Sequence, residues 1–346
     1  MNRQHAHTCI LLLGALVAGC SSETVAMWPA PPVHFLTAPS VASASSPTTP
    51  TDKERGLADT YMKALSSPGF VDLGAIVDDE ARIAVGARNT HGRERVLKDH
   101  DDVFGAFDQR HFVTNRVWLT DSTRPLDSQT LEWTMTGIHA RPFLGVAPTH
   151  KPVVIRGLTL LWTSDSGIIS DLHVYFDEEL VRAQLGGGPA DLQKLRTPLV
   201  DAEAHQTYER NGAAQEATNV ALVRTMIQAL EDDKESIFLS TMDDQVEVDM
   251  LDHAEPSRGK IAARQYFQTM RSSIRHLDTV IQNAWGVGAF AVVEYAITGL
   301  QQAPLPRIPF AAGRPLHTQF VDIAEIKDGR MAHIWRYADP IAFASL

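Results

Sequence analysis

A chain of 346 residues with 44% hydrophobic content is ordinary globular material, long enough for two or three domains. Its formal net charge of −11 argues against a protein that tracks nucleic-acid phosphates, which would need a basic stripe. The only two cysteines are Cys9 and Cys20, so a disulfide framework is excluded from the folded part.

Residues 1–19 read as a targeting segment. Arg3 precedes a short apolar run, Ile10 to Val17, too short to span a bilayer as a helix. The run closes on Val17-Ala18-Gly19-Cys20, which looks like a bacterial lipoprotein box. That resemblance implies cleavage before Cys20, a lipid on its sulfur and anchoring in the cell envelope. Ser21 after the cysteine favours the outer membrane by analogy. The alternative is an ordinary signal peptide with an incidental cysteine. Residues 20–51 are rich in Pro, Ala, Ser and Thr and cannot bury a core, so they read as a disordered tether.

The first folded unit, 52–187, begins with Ala58, Tyr61, Met62 and Leu65 on one helix face. Pro68-Gly69 ends that helix. A second helical pattern after Gly92 places Val96, His100, Val103 and Phe107 together. Strand signals follow at Phe112 to Leu119, Thr130 to Gly137, Leu158 to Trp162 and Ile169 to Asp177. Helices followed by consecutive strands predict an α+β fold with a meandering antiparallel sheet. On the last strand, period-two alternation puts Ile169, Asp171, His173, Tyr175 and Asp177 on one face. Two carboxylates, an imidazole and a phenol on one face predict a strand that lines a pocket. Residues 188–215 read as a polar linker, part of it helical.

The second unit, 216–346, repeats the first. Tyr295-Ala-Ile-Thr298-Gly299 matches Trp133-Thr-Met-Thr136-Gly137, and Trp335-Arg-Tyr337-Ala-Asp339 matches His173-Val-Tyr175-Phe-Asp177. Gly167 lies 30 residues beyond Gly137, and Gly329 lies 30 beyond Gly299. Val223, Met226, Ile227 and Leu230 repeat the first helix. After Gly259, Ala263, Phe267, Met270 and Ile274 repeat the second, with Phe267 where the first unit has His100. Spacing kept at this length indicates an internal duplication.

Helix pair followed by curved sheet resembles the cone-shaped nuclear transport factor 2-like superfamily. The first unit resembles its SnoaL-like polyketide (ester) cyclase branch through Trp133-Thr-Met-Thr-Gly137-Ile-His139, Phe143-Leu-Gly145-Val-Ala-Pro148-Thr149-His-Lys151-Pro152, Gly167-Ile-Ile169 and Tyr175-Phe-Asp177. The second is similar to the SnoaL-like and ketosteroid-isomerase-like group through Gly299, Ala312-Gly-Arg-Pro315, Asp328-Gly329 and Trp335-Arg-Tyr-Ala-Asp339. The resemblance implies two tandem cone-shaped domains, each with an apolar pocket, and cofactor-free acid/base chemistry on a small hydrophobic carbonyl compound. It implies a carboxylate at the end of the last strand, without fixing which aspartate. Asp177 is the choice for the acid/base, with His173, Asp171 and His139 in support. The alternative for Asp177 is a cap on the helix Glu178 to Leu185. For His100 it is a satisfied core histidine.

In the second unit the resemblance to ketosteroid isomerases implies Asp249 as general base and Asp322 as a proton-donating acid, with Ile83 or Ala84 opposite Asp249 and Leu160 opposite Asp322 in the first unit. The alternative for Asp249 and Asp252 is a pair of solvated strand-end charges. His333 and Asp339 complete the candidate catalytic set. The candidate pocket lining is His100, Trp133, Tyr175, Phe267, Tyr295, Trp335 and Tyr337. No glycine-rich phosphate loop, nucleophile elbow or metal-ligand spacing occurs, so neither cofactor nor metal is expected. The rival reading is non-catalytic: the pockets bind a hydrophobic ligand or a protein partner, or the open sheet faces pair two copies or the two units.

Overall fold

A computed structural model describes residues 52–85, 88–120, 127–187, 206–250, 256–305 and 311–338. All lie in one compact unit, Ser45–Leu346. Cys20, Asp252 and Asp339 fall outside the described residues.

The chain is α+β, with two sheets of mixed strands. Helix α1 (Asp52–Ser66), a 3-10 helix (Pro68–Ala75) and α2 (Arg93–Phe104) belong to the first sheet. Its strands are β1 (Val77–Val85), β2 (Arg88–His91), β3 (Phe107–Leu119), β4 (Asp127–His139), β5 (Pro152–Thr163) and β6 (Ile169–Phe176). Helix α3 (Glu178–Gln184) follows, and β7 (Gln206–Glu209) completes the sheet in the order β2-β1-β6-β5-β4-β3-β7. The second sheet carries α4 (Ala214–Glu231), α5 (Glu235–Ser240) and α6 (Gly259–Ser273). Its strands are β8 (Met242–Met250), β9 (Ser257–Arg258), β10 (Ile274–Val287), β11 (Phe290–Gln301), β12 (Pro315–Lys327) and β13 (Arg330–Ala338), in the order β10-β11-β12-β13-β8-β9.

The four-strand meander is present, but the sheets are not purely antiparallel. β1 runs parallel to β6, β8 parallel to β13, and β7 parallel to β3. The strand that follows the first helices has to return beside the last strand of the meander, and there it points the same way. Of the linker, residues 188–205 lie outside the described residues; among the described ones, 206–209 form the edge strand β7 and no helix begins before Ala214.

The repeat is carried by backbone constraints. Gly167 and Gly329 adopt φ of 70° and 72° in matching turns, where any side chain would be strained. A Cβ on Gly299 would lie 2.4 Å from the Ile274 side chain, and one on Gly137 would lie 3.1 Å from Phe107 Cβ. Both glycines let a central strand pass close to the start of its neighbour.

Each sheet has two differently occupied sides. The helix-facing side of the first packs Tyr61, Leu65, Val96, Phe104, Trp133 and Phe176 into one core. That of the second packs Val223, Ile227, Phe267, Tyr295 and Phe320 into another. The remaining sides meet each other. Trp118, Leu158, Leu160, Trp162 and Tyr175 from the first sheet form a third core with Val287, Phe290, Val292, Val321, Ile323 and Tyr337 from the second. The layer order is therefore helices, sheet, sheet, helices.

This third core, the seam, bears on how separable the halves are. Leu158, Leu160, Val321 and Ile323 are fully buried, and parting the sheets would expose them. Fragments 52–213 and 214–346 should co-elute as a complex when co-expressed, and each alone should aggregate or bind a hydrophobic dye. Two well-behaved monomers that ignore each other would contradict this.

Candidate functional site

Two carboxylates are buried in the seam. Glu132 on β4 is 2% exposed and Glu294 on β11 is 0% exposed. Each is reached by a tyrosine from the opposite sheet. The Tyr337 hydroxyl donates to Glu132, and the Tyr175 hydroxyl donates to Glu294 at 2.5 Å. Tyr337 and Glu294 stand 162 residues beyond Tyr175 and Glu132, so the contacts are one interaction made twice in reciprocal form.

The surroundings of the two acids differ. Arg116 donates to both Glu132 oxygens, at 2.5 and 2.9 Å, and Arg156 donates at 2.7 and 3.0 Å. Arg156 also reaches Asp249 at 3.0 Å, which ties β5 to β8 across the seam. Burial works against charge on Glu132, but Arg156 and Arg116 outweigh it and hold its pKa down to about 2. The Arg116 guanidinium lies 3.9 Å over the Trp335 ring, and the His333 ring stacks on Trp335 with centroids 3.9 Å apart. Glu294 accepts instead from His173 Nδ1 and Asn283 Nδ2, each at 2.5 Å.

The helix-facing sides also differ between the repeats. In the first sheet Trp133 Nε1 donates to Thr159 Oγ1 at 3.0 Å, and Val174 pairs with Thr159 across the strands. Register places Tyr295, Asp322 and Arg336 at the matching positions of the second sheet. There Arg336 grips Asp322 through Nε at 2.7 Å and Nη2 at 2.6 Å, and the Tyr295 hydroxyl donates to the same carboxylate at 3.1 Å. All three are buried. Arg336 lies 4.6 Å over the Tyr266 ring, and Phe320 stacks on Tyr295. On the same side of β12, the Thr318 hydroxyl is buried without a hydrogen-bond partner.

The sequence-selected residues therefore separate. Asp171, His173 and Tyr175 do share a face, but it meets the second sheet and not the helix-facing core of their own. Ile169, beyond a register shift, packs into that core instead. Asp171 is held by Arg82 at 2.5 Å. Asp177 is buried at the N-terminus of α3, where its side chain accepts from the Leu180 amide at 2.8 Å. Its cap geometry is the alternative reading of that residue. Asp249 faces the seam and Asp322 the helices, so the pair expected to act together stands on opposite sides of one sheet. Asp322 accepts from three donors, which is the reverse of a proton-donating role. Register also corrects its counterpart, which is Thr159 and not Leu160; Ala84 stands opposite Asp249. His333, Trp335 and Tyr337 lie at the Glu132 end of the seam. His139 ends β4 beside Phe107, with its Nδ1 accepting from the Thr149 amide at 3.1 Å.

His100 is a core histidine. Its Nδ1 donates to the Val96 carbonyl at 2.8 Å, which leaves Nε2 to accept from the Tyr61 hydroxyl at 3.1 Å. Trp133 and Phe267 belong to the two helix-facing cores. Sequence reasoning missed Glu132, Glu294, Arg116, Arg156 and Arg336. A glutamate inside each of the apolar runs Leu131-Glu-Trp133 and Val293-Glu-Tyr295, at repeated positions, was the available signal. An open groove of about 500 Å³ lies elsewhere, lined by Arg224, Ile227, Lys234, Ile237 and Ile281 among others. None of the sequence-selected residues lines it. Among the described residues no cluster of metal-ligating side chains occurs.

Residues 223–334 match the family model of the SnoaL-like domain. No curated protein matches the chain. Similar solved structures include a protein from Jannaschia sp. CCS1 named for SnoaL-like polyketide cyclases, 19% identical, with a TM-score of 0.35 over 39% of this chain and 96% of that one. Another, from Pseudomonas putida KT2440 and named for polyketide cyclases, is 24% identical, with a TM-score of 0.30 over 34% of this chain and 90% of that one. A third, from Kribbella flavida DSM 17836 and named for ketosteroid isomerases, is 14% identical, with a TM-score of 0.28 over 36% of this chain and 79% of that one.

Burial lowers the His100 pKa to about 4, against the smaller opposing pull of the Val96 carbonyl. A folded-state pKa below the unfolded value means that stability is complete above about pH 6.5 and drains as pH falls toward 4. The loss approaches about 3 kcal/mol. His100→Phe, which installs the residue of the second repeat, should flatten that acid slope in urea titrations between about pH 6.5 and 4. An unchanged slope would assign it to other groups.

Proposed function

We propose that this is an envelope lipoprotein in which two SnoaL-like units, 52–187 and 216–346, form a fused dimer and the second unit holds a small hydrophobic molecule that carries a carbonyl or carboxylate oxygen. One observation carries the reading. The Tyr295–Asp322–Arg336 constellation sits in the helix-facing core of the second sheet, where the first repeat has Trp133, Thr159 and Val174. A buried ion pair is costly and offers little stability over apolar packing, so its presence in one repeat alone favours a role in recognition. Phe267, Phe320, Met270 and Tyr266 supply apolar surroundings. Asp322 fixes Arg336 through Nε and Nη2, and among the described residues no acceptor occupies Nη1. Nη1 would donate to a ligand oxygen, and the Thr318 hydroxyl offers a second contact.

Binding without turnover is the leading form of this reading. Asp177 caps a helix and Asp249 is paired with Arg156, so neither is poised to move a substrate proton. Isomerase-type chemistry is the second form, and what favours it is the Tyr295 hydroxyl beside Asp322. The first unit then serves as scaffold, with its helix-facing core filled by Trp133, Phe104, Phe112 and Phe176.

Native mass spectrometry of purified protein should reveal a co-purified apolar ligand. Thr318→Val, which keeps the shape, should weaken its retention about tenfold, the scale of one buried hydrogen bond. Arg336→Met should abolish retention. A ligand retained equally by both folded variants would move the site elsewhere. Solvent deuterium entering the α-carbon of ketones, lost in Tyr295→Phe, would favour turnover over binding.

The anchor has its own test. Cys20→Ser should leave the protein in the soluble or uncleaved fraction. A variant that still partitions with washed membranes would remove the lipid from the proposal.

A further inference from the structure

The two ends of the seam share one plan and differ in the kind of cation that neutralises each acid. At Glu132 the cations are guanidinium groups, Arg116 and Arg156, which stay protonated at every accessible pH. At Glu294 the only group among the described residues that can donate a positive charge to the carboxylate is His173. Tyr175 and Asn283 contribute neutral hydrogen bonds.

The surroundings of His173 can be followed element by element. On β6 itself, Asp171 Oδ1 lies 3.6 Å from Nε2, and Tyr175 shares the Glu294 carboxylate. From β1, Arg82 pairs with Asp171 and Ala84 stands opposite His173. From β5, Leu160 stands opposite and the Trp162 ring packs edge-on at 4.8 Å. From the second sheet come Glu294 on β11 and Asn283 on β10, with Trp285 6.1 Å beyond Trp162. The charged neighbours are thus two carboxylates and one arginine already bound to one of them. Burial opposes charge on the imidazole, but Glu294 first and Asp171 next outweigh it, so the His173 pKa is raised.

We propose that the Glu294 end of the seam is a pH-sensitive latch, held while His173 carries its proton and released when it loses it, whereas the Glu132 end stays closed. Deprotonation leaves Glu294 a buried carboxylate without a cation, and such a group is costly to keep away from water. The sign follows from linkage. A group that binds its proton more tightly when folded stabilises fully below its unfolded pKa, about 6.5 for histidine, and loses that contribution as pH rises through the folded value. His100, His139, His317 and His333 are all lowered by burial and act in the opposite direction, at acid pH.

Hydrogen exchange on the native full-length protein tests this without a mutation. Amide protection factors in β6 and β11 around Tyr175 and Glu294 should fall above about pH 6.5, by up to tenfold per pH unit for a single linked proton. Those in β3 and β4 around Arg116 and Glu132 should hold. Trp162 emission should change over the same range, since its ring touches the titrating imidazole. His173→Gln keeps a neutral donor, and Glu294→Gln removes the buried charge. Both should abolish the alkaline fall in protection and urea midpoint. Equal loss of protection at both ends, or none at either, would overturn the proposal. So would a native-like alkaline slope in a folded His173→Gln protein.

Discussion

The constraint on which the structure depends is the burial of Glu132 and Glu294 between two sheets. A carboxylate taken out of water must be compensated in place, and here the compensation crosses the seam. Tyr337 from the second sheet serves Glu132, and Tyr175 from the first serves Glu294. Arg156 serves Glu132 and Asp249 on both sides at once. Neither half satisfies its own acid completely. The apolar seam residues supply the driving force for association, and the reciprocal Tyr–Glu pairs supply its register. Greasy sheets alone could slide or rotate past one another. Two acids that each require a particular hydroxyl cannot.

That arrangement accounts for what was legible in the sequence and what was not. Helical periodicity located Ala58, Tyr61, Met62 and Leu65, and later Val223, Met226, Ile227 and Leu230, and all eight are buried. Strand alternation correctly grouped Asp171, His173 and Tyr175. Period two, however, states only which residues share a face, never what covers it. An amphipathic strand in a single-layer sheet has one wet side. Here both sides are covered, so a polar residue on the seam side and one on the helix-facing side look the same along the chain. Asp249 and Asp322 were separated by this ambiguity. The cross-seam partner of Glu132 was beyond reach for another reason: Tyr337 is 205 residues away in the chain, and no local pattern links them. Asp177 could be read because a cap is a local event, completed three residues later at Leu180.

Matching strand registers in the two sheets also give each position an internal reference. Arg116 and Asn283 occupy matching places beside the two seam acids, and Arg156 is matched by Gln319. Where one repeat holds charge, the other holds a neutral group of similar reach. The tyrosine bond and the Arg116 or Asn283 bond are made at both acids while the charge differs, and so the two ends of one seam respond differently to pH.

The same comparison bears on the helix-facing cores. Passing between Trp133–Thr159–Val174 and Tyr295–Asp322–Arg336 takes three changes, and most intermediates leave a charge buried alone. An aspartate without Arg336, or an arginine without Asp322, would cost about 3–5 kcal/mol, a large part of a domain's stability. Such a set is not reached or kept by drift among equivalent core residues. Packing alone would be served by the apolar version, which the first sheet demonstrates with the same backbone. The charged version is therefore better understood as something the second core does than as something that holds it together.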